Sequence, residues 1–135
     1  MNGDASNPVD IPEGTLAELF LTAVERHGNS VAYQYFPNEG SDQEDVTFEE
    51  VYTLVRAVAA GLQELGLTRG DNVAILSENR LEWAIADFAC LCSGILDVPI
   101  YGTLTAPQVA YILENSRAQL VFVSDGEQAE KALTA

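Results

Sequence analysis

From Val73 onward, short apolar runs alternate with capped helical patterns, and this order constrains the fold more than any other feature. Val73 to Leu76, Val98 to Tyr101 and Leu120 to Val123 are too short for helices and are bounded by turn residues. Continuous rather than alternating apolarity marks strands buried on both faces. Pro99 places its strand near an edge or a bulge, because proline cannot donate to a ladder. Strand–helix–strand order calls for right-handed crossovers and a parallel sheet.

The helices between these strands announce themselves by their starts. Asn79 with Glu82, Thr105 with Gln108, and Ser124 with Glu127 each have the spacing of a capping box. From Trp83 to Leu96 the only charge is Asp87, so that helix is expected to be buried nearly all round. The helix after Thr105 carries Val109, Ile112 and Leu113. The last runs from Glu127 to Leu133.

Upstream, Thr15 to His27 forms a first helix with Leu16, Leu19, Phe20, Ala23 and Val24 on one face, a Thr15–Glu18 capping box and Gly28 as its stop. His27, in its last turn, suits the helix dipole better than a catalytic role. Val31 to Phe36 and Val46 to Phe48 pair as a hairpin around the polar loop Pro37 to Asp45. Thr47 and Glu50 cap a helix whose stripe is Phe48, Val51, Val55, Val58, Leu62 and Leu65, ended by Gly66. Gly61 inside it suggests close packing. Thr68-Arg69-Gly70-Asp71 is a tight turn. Residues 1–13 read as a flexible leader and 14–135 as one α/β unit: a parallel-rich sheet flanked by helices, with an N-terminal helix and β-hairpin. The final helix has barely begun at Ala135, as in a piece of something longer.

Composition excludes several partners. Six Lys+Arg stand against 21 Asp+Glu, a net charge of −15. Such a surface repels nucleic-acid phosphates and anionic membranes. It matches proteins adapted to high salt, and also plain solubility. With 47% hydrophobic residues the chain can offset its ordering entropy, yet no stretch is long and apolar enough to span a membrane. Nor does the start of the chain resemble a signal peptide. Cys90 and Cys92, two apart on a helix, point about 200° apart and cannot bridge each other. Both are expected to be buried and inert, in a reducing cytoplasm.

The familiar chemistry is missing. There is no Gly-x-x-x-x-Gly-Lys loop and no Gly-x-Gly-x-x-Gly turn to cradle phosphates. Ser77-Glu78-Asn79-Arg80 follows the first parallel strand, Gly102-Thr103 the second and Ser124-Asp125-Gly126 the third. No serine elbow occurs. One histidine and two ill-spaced cysteines make no metal cluster. The acids from Glu39 to Glu50 (Glu39, Asp42, Glu44, Asp45, Glu49, Glu50) do not fit a calcium loop, since positions 47 and 53 are both threonine.

Several phrases together do resemble a family. Gly70-Asp71-Asn72-Val73-Ala74-Ile75 is similar to the "G-D-x-V-A-I" strand entry of adenylate-forming enzymes, the acyl-CoA synthetases, luciferases and peptide-synthetase adenylation domains. Asn79-Arg80-Leu81-Glu82-Trp83 resembles their "N-x-x-E-W" helix start, and Thr47-Phe48-Glu49-Glu50-Val51 their "T-[FY]-x-E-[VL]" helix opening. Val98-Pro99-Ile100-Tyr101, Gly102-Thr103-Leu104-Thr105 and Tyr111-Ile112-Leu113-Glu114-Asn115-Ser116 look most like the long-chain fatty acid–CoA ligase branch. The match runs from about Thr15 to Leu133.

The resemblance implies that the parent protein activates a fatty acid with ATP through an acyl-adenylate, aided by Mg²⁺, and transfers it to coenzyme A. It implies a cytoplasmic or membrane-peripheral location. The family's phosphate loop, adenine strand, ribose-binding aspartate and catalytic lysine lie downstream of the matched region. No catalytic, cofactor-binding or metal residue is therefore assigned here, Lys131, the only lysine, included. Trp83, Tyr101 and Thr103 are expected in core packing and helix entry. The chain alone is expected to be inactive and to bind no cofactor. Its partners are the remainder of the parent and its fatty acid. The alternatives are a small standalone α/β interaction module or a piece of another adenylating enzyme.

Overall fold

The computed structural model describes residues 13–134. The leader expected over residues 1–13 lies, apart from Glu13, outside them.

Helix α1 (Leu16–His27) starts as its sequence dictates. The Thr15 hydroxyl accepts from the Glu18 N–H at 3.1 Å, and Glu18 accepts from the Thr15 N–H at 2.7 Å. Only Phe20 of its expected stripe is buried; Leu16 and Leu19 are exposed. Gly28 ends the helix in the right-handed region (φ −43°), so it does not act through a left-handed turn. Its carbonyl instead accepts from the Glu49 N–H at 3.0 Å, while Ser30 O accepts from the Phe48 N–H at 3.1 Å.

These two bonds belong to the first turn of α2 (Phe48–Glu64). With the Thr47 hydroxyl accepting from the Glu50 N–H at 3.3 Å and the Glu50 carboxylate accepting from the Thr47 N–H at 2.8 Å, all four N–H groups left free at the helix start are satisfied. Strands β1 (Val31–Tyr35) and β2 (Glu44–Thr47) pair antiparallel as expected, with an irregularity between Val31 and Tyr33. Phe36 lies beyond β1, and Phe48 opens α2 rather than closing β2. Val51, Val55 and Leu62 of the α2 stripe are buried, but Leu65 is past the last turn and 70% exposed. Gly61 is not closely packed: a Cβ there would meet nothing within 4 Å.

The turn after α2 is held by Asp71, whose carboxylate accepts from the Thr68 N–H at 2.7 Å and hydroxyl at 3.0 Å. Strand β3 (Asn72–Ser77) then lies between β4 (Leu96–Tyr101) and β5 (Leu120–Val123), all parallel, in the order β4-β3-β5. The central place explains why Val73 to Leu76 are at most 1% exposed. Pro99 sits on β4, an edge of this sheet among the described residues.

Helix α3 (Leu81–Ser93) covers one face and α4 (Ala106–Ser116) the other. Val73 packs with Phe20, Val51, Val55, Leu62, Ala89 and Cys90 on the first face; Ala74, Leu76, Ile100 and Val109 pack on the second. The expected Asn79–Glu82 capping box does not form. Arg80 is the N-cap, without a side-chain cap, and Glu82 binds the Arg80 guanidinium instead. The helix is also less enclosed than its composition suggests. Cys90 is fully buried, but Cys92 is exposed and Trp83 only half-buried. Helix α4 keeps its expected start, the Thr105 N–H donating to Gln108 Oε1 at 2.9 Å. Helix α5 (Gly126–Leu133) does not use Ser124 and Glu127: Asp125 is the N-cap, accepting from the Gln128 N–H at 2.9 Å.

Candidate functional site

Strand β3 is left through α3 toward β4 on one side, and β4 is left through α4 toward β5 on the other. Chain paths that part in opposite directions open a crevice at the carboxyl ends of the strands, where open α/β sheets receive ligands. A crevice of about 390 Å³ lies there, next to the ends of β3 and β5. Its floor is Ile75 and Phe122, its wall Trp83 and Val58, and its rim Ser77 and Ser124.

Arg80 ties the rim together. Its Nε donates to Glu82 Oε2 at 2.9 Å and its Nη1 to Glu78 Oε1 at 3.3 Å. Nη1 also donates to the Ser124 carbonyl at 3.3 Å, joining the loop after β3 to the loop after β5. The bond from Arg80 holds the Glu82 carboxyl below its ordinary value. With two carboxylates on the guanidinium, the crevice presents apolar walls and a neutralised cation, not a phosphate cradle.

At the end of β4, the Gly102 carbonyl accepts from Gln128 Nε2 at 3.2 Å and from Lys131 Nζ at 2.8 Å. Lys131 also pairs with Glu127 at 3.3 Å. The single lysine is thus engaged in fastening α5 to the β4 loop. Of the other residues singled out by sequence, His27 ends α1 with its ring 6.3 Å from Phe48. Tyr101 is 79% exposed and Thr103 exposed as well, so neither packs in the core as expected. Trp83 alone joins the crevice. Ser77 and Ser124 stand at the carboxyl ends of the neighbouring strands β3 and β5, a placement that follows from the strand order and not from any local pattern. Among the described residues, no three His, Cys, Asp or Glu side chains stand together as a metal site. No helix among them is long and apolar enough to cross a membrane.

Sheet order and crossovers define an open parallel α/β unit with a crevice at its switch point. The chain belongs to the AMP-binding enzyme family, whose model matches residues 20–135. It is 45% identical over 85 residues to the long-chain-fatty-acid–CoA ligase FadD15 of Mycobacterium tuberculosis, covering 63% of this chain and 14% of that protein. It is 33% identical over 121 residues to the long-chain-fatty-acid–CoA ligase ACSBG2 of Rattus norvegicus, covering 89% of this chain and 18% of that one. Its fold is similar to a Mycobacterium tuberculosis fatty acyl CoA synthetase, with a TM-score of 0.75 at 24% identity over 87% of this chain and 22% of that one. The Klebsiella oxytoca NpsA N-terminal subdomain, in complex with 3-hydroxybenzoyl-AMSN, gives a TM-score of 0.75 at 26% identity over 84% of this chain and 27% of that one. The chain thus spans less than a fifth of the length of these curated relatives.

Proposed function

We propose that this chain is the N-terminal part of a fatty acid–CoA ligase, which joins a fatty acid to ATP as an acyl-adenylate and passes the acyl group to coenzyme A. The observation that carries the reading is the 45% identity over 85 residues to a long-chain-fatty-acid–CoA ligase. The residues here supply sheet and packing surface; catalytic and nucleotide groups come from the remainder of the polypeptide. Two features support that division: the Arg80 guanidinium is neutralised by Glu78 and Glu82, and Lys131 is committed to Gly102 and Glu127. An adenylating site needs a cation free to meet developing phosphate charge.

The remainder of the polypeptide is also the partner of the apolar surface left open on this chain. Leu16, Leu65, Tyr101 and Tyr111 are each more than 60% exposed. A second reading, another adenylating enzyme, is favoured by the equal structural likeness of the NpsA subdomain.

The test is ATP–pyrophosphate exchange, run on the full-length polypeptide and on the 135 residues alone. Exchange dependent on fatty acid in the former, and none above background in the latter, is expected. Full-length protein that exchanges only with aromatic or amino acids would establish the second reading. Exchange by the 135 residues would overturn the division of labour.

A further inference from the structure

The crevice has two shores, and at their carboxyl ends the shores part. After β3 the chain turns through Glu78, Asn79 and Arg80 into α3, on one face of the sheet. After β5 it turns through Ser124 and Asp125 into α5, whose Ala132 packs on the other face. The last rung of the ladder between these strands aligns Leu76 with Val123. One backbone bond follows it, from the Ser124 N–H to the Leu76 carbonyl at 3.3 Å, slightly longer than such bonds usually are. On the second face α5 is fastened to the end of β4, through Gln128 and Lys131 on the Gly102 carbonyl. On the crevice side the two loops meet through Arg80.

The neighbours of the guanidinium place it for that task. Its Nε and Nη2 donate to the two carboxylate oxygens of Glu82, at 2.9 and 3.3 Å. Its Nη1 donates to Glu78 Oε1 at 3.3 Å and to the Ser124 carbonyl at 3.3 Å. Glu82 stands in the first turn of α3 and Glu78 in the loop before it. A two-pronged bond to one carboxylate fixes the plane of the fork, and the third nitrogen then has one direction in which to point. That direction is across the crevice mouth, to a residue 44 positions along the chain. The Ser124 backbone is thereby held at both ends, its N–H by Leu76 and its carbonyl by Arg80. Exposed ion pairs contribute little to stability, so this arrangement counts for geometry rather than for energy. Arg80 is the N-cap of α3 but gives it no side-chain cap, so replacing its side chain takes no bond from the helix backbone.

We propose that Arg80 is a positioning residue of the crevice: it clasps the loop after β3 to the loop after β5 and fixes how far Ser124 stands from Trp83 across the mouth. Ser124 and Trp83 both line the crevice. Lysine cannot take this place, because a single ammonium has no planar fork with which to engage two carboxylates and a carbonyl in set directions. The role does not depend on what the longer polypeptide acts on.

Trp83 is the only tryptophan of the chain and reports on the mouth. Acrylamide quenching of its fluorescence, and hydrogen exchange at the Ser124 amide, are read in the parent, Arg80→Gln and Arg80→Lys, at a temperature where circular dichroism shows all three folded. Both variants are expected to raise the quenching of Trp83. Both should also lower the protection of the Ser124 amide about tenfold, the loss of one hydrogen bond to a charged group. Protection of the Val73 to Leu76 amides, at the centre of the sheet, should stay as in the parent. If Arg80→Lys matches the parent while Arg80→Gln does not, charge alone suffices and the clasp is refuted. It is refuted as well if neither variant moves quenching or Ser124 exchange, or if exchange rises equally throughout the sheet. NMR of the Arg80 side chain in the parent decides without any variant. A fork held on both edges turns slowly about its Nε–Cζ bond and shows two separate Nη signals; one averaged Nη signal overturns the proposal.

Discussion

Gly61 stands in the interior of α2 with open space where a side chain would go. A helical glycine loses more backbone freedom on folding than alanine and adds no contact of its own. Gly61→Ala is therefore expected to stabilise the chain by about 0.5–1 kcal/mol, measurable by urea unfolding. A loss of stability would mean that another segment approaches the helix there. The two cysteines differ for an equally local reason. Cys90 faces the core, where burial, then the charges of Asp97 and Asp87, push its thiol up to about 12. Cys92, two residues on and so about 200° round the helix, is exposed. A thiol reagent should label Cys92 in the native chain and Cys90 only after denaturation, with mass spectrometry assigning the site. Trp83 shows how a single residue misleads: its size and apolar helix predict full burial, yet it walls a crevice and stays half-exposed.

The elements were legible where local chemistry decides them. Thr15–Glu18, Thr47–Glu50 and Thr105–Gln108 form the reciprocal caps their spacing demands, because both partners lie within one turn and need nothing from elsewhere. Asn79–Glu82 and Ser124–Glu127 have equally good spacing and fail. Each follows a parallel strand at the crowded end of the sheet, where a competing group wins: Arg80 takes Glu82, and Asp125 takes the first turn of α5. Asp125→Ala should therefore cost about 1 kcal/mol, and Asn79→Ala close to nothing. Equal costs, read from paired denaturation curves, would contradict this assignment of caps. Strand β3 was legible because a strand buried on both faces must be apolar throughout; the burial expected of Leu120 to Val123 does not hold, since β4 and β5 flank β3 and only Ile100 of the two is buried. The exposure of Leu16, Leu19 and Leu65 was not legible, since periodicity tells which residues share a face but not whether anything covers it. The crevice was hidden for a related reason. It arises from the strand order β4-β3-β5, and no local pattern encodes which side of β3 the third strand will join.

At the scale of the whole molecule, charge is the dominant fact. The net charge of −15 is scarcely relieved by contact: among the described residues the ion pairs are Arg80 with Glu78, Arg80 with Glu82, and Lys131 with Glu127. All three involve well-exposed carboxylates, for which each pair contributes little on its own. Most of the acids therefore act on one another through solvent, over a range of about 10 Å at 0.1 M salt and about 3 Å at 1 M. The folded chain concentrates this repulsion more than the unfolded one, so screening favours folding. The Tm should rise as NaCl goes from low to molar concentration. A flat or falling Tm would remove the case for salt adaptation. Salt also strengthens apolar burial, and a charge variant separates the two effects. Glu39→Gln with Asp42→Asn removes two negative charges from the exposed stretch between β1 and β2. If repulsion is the cause, this variant starts from a higher Tm in low salt and gains less from NaCl than the parent. If apolar burial is the cause, parent and variant gain equally, because neither residue contributes to the core.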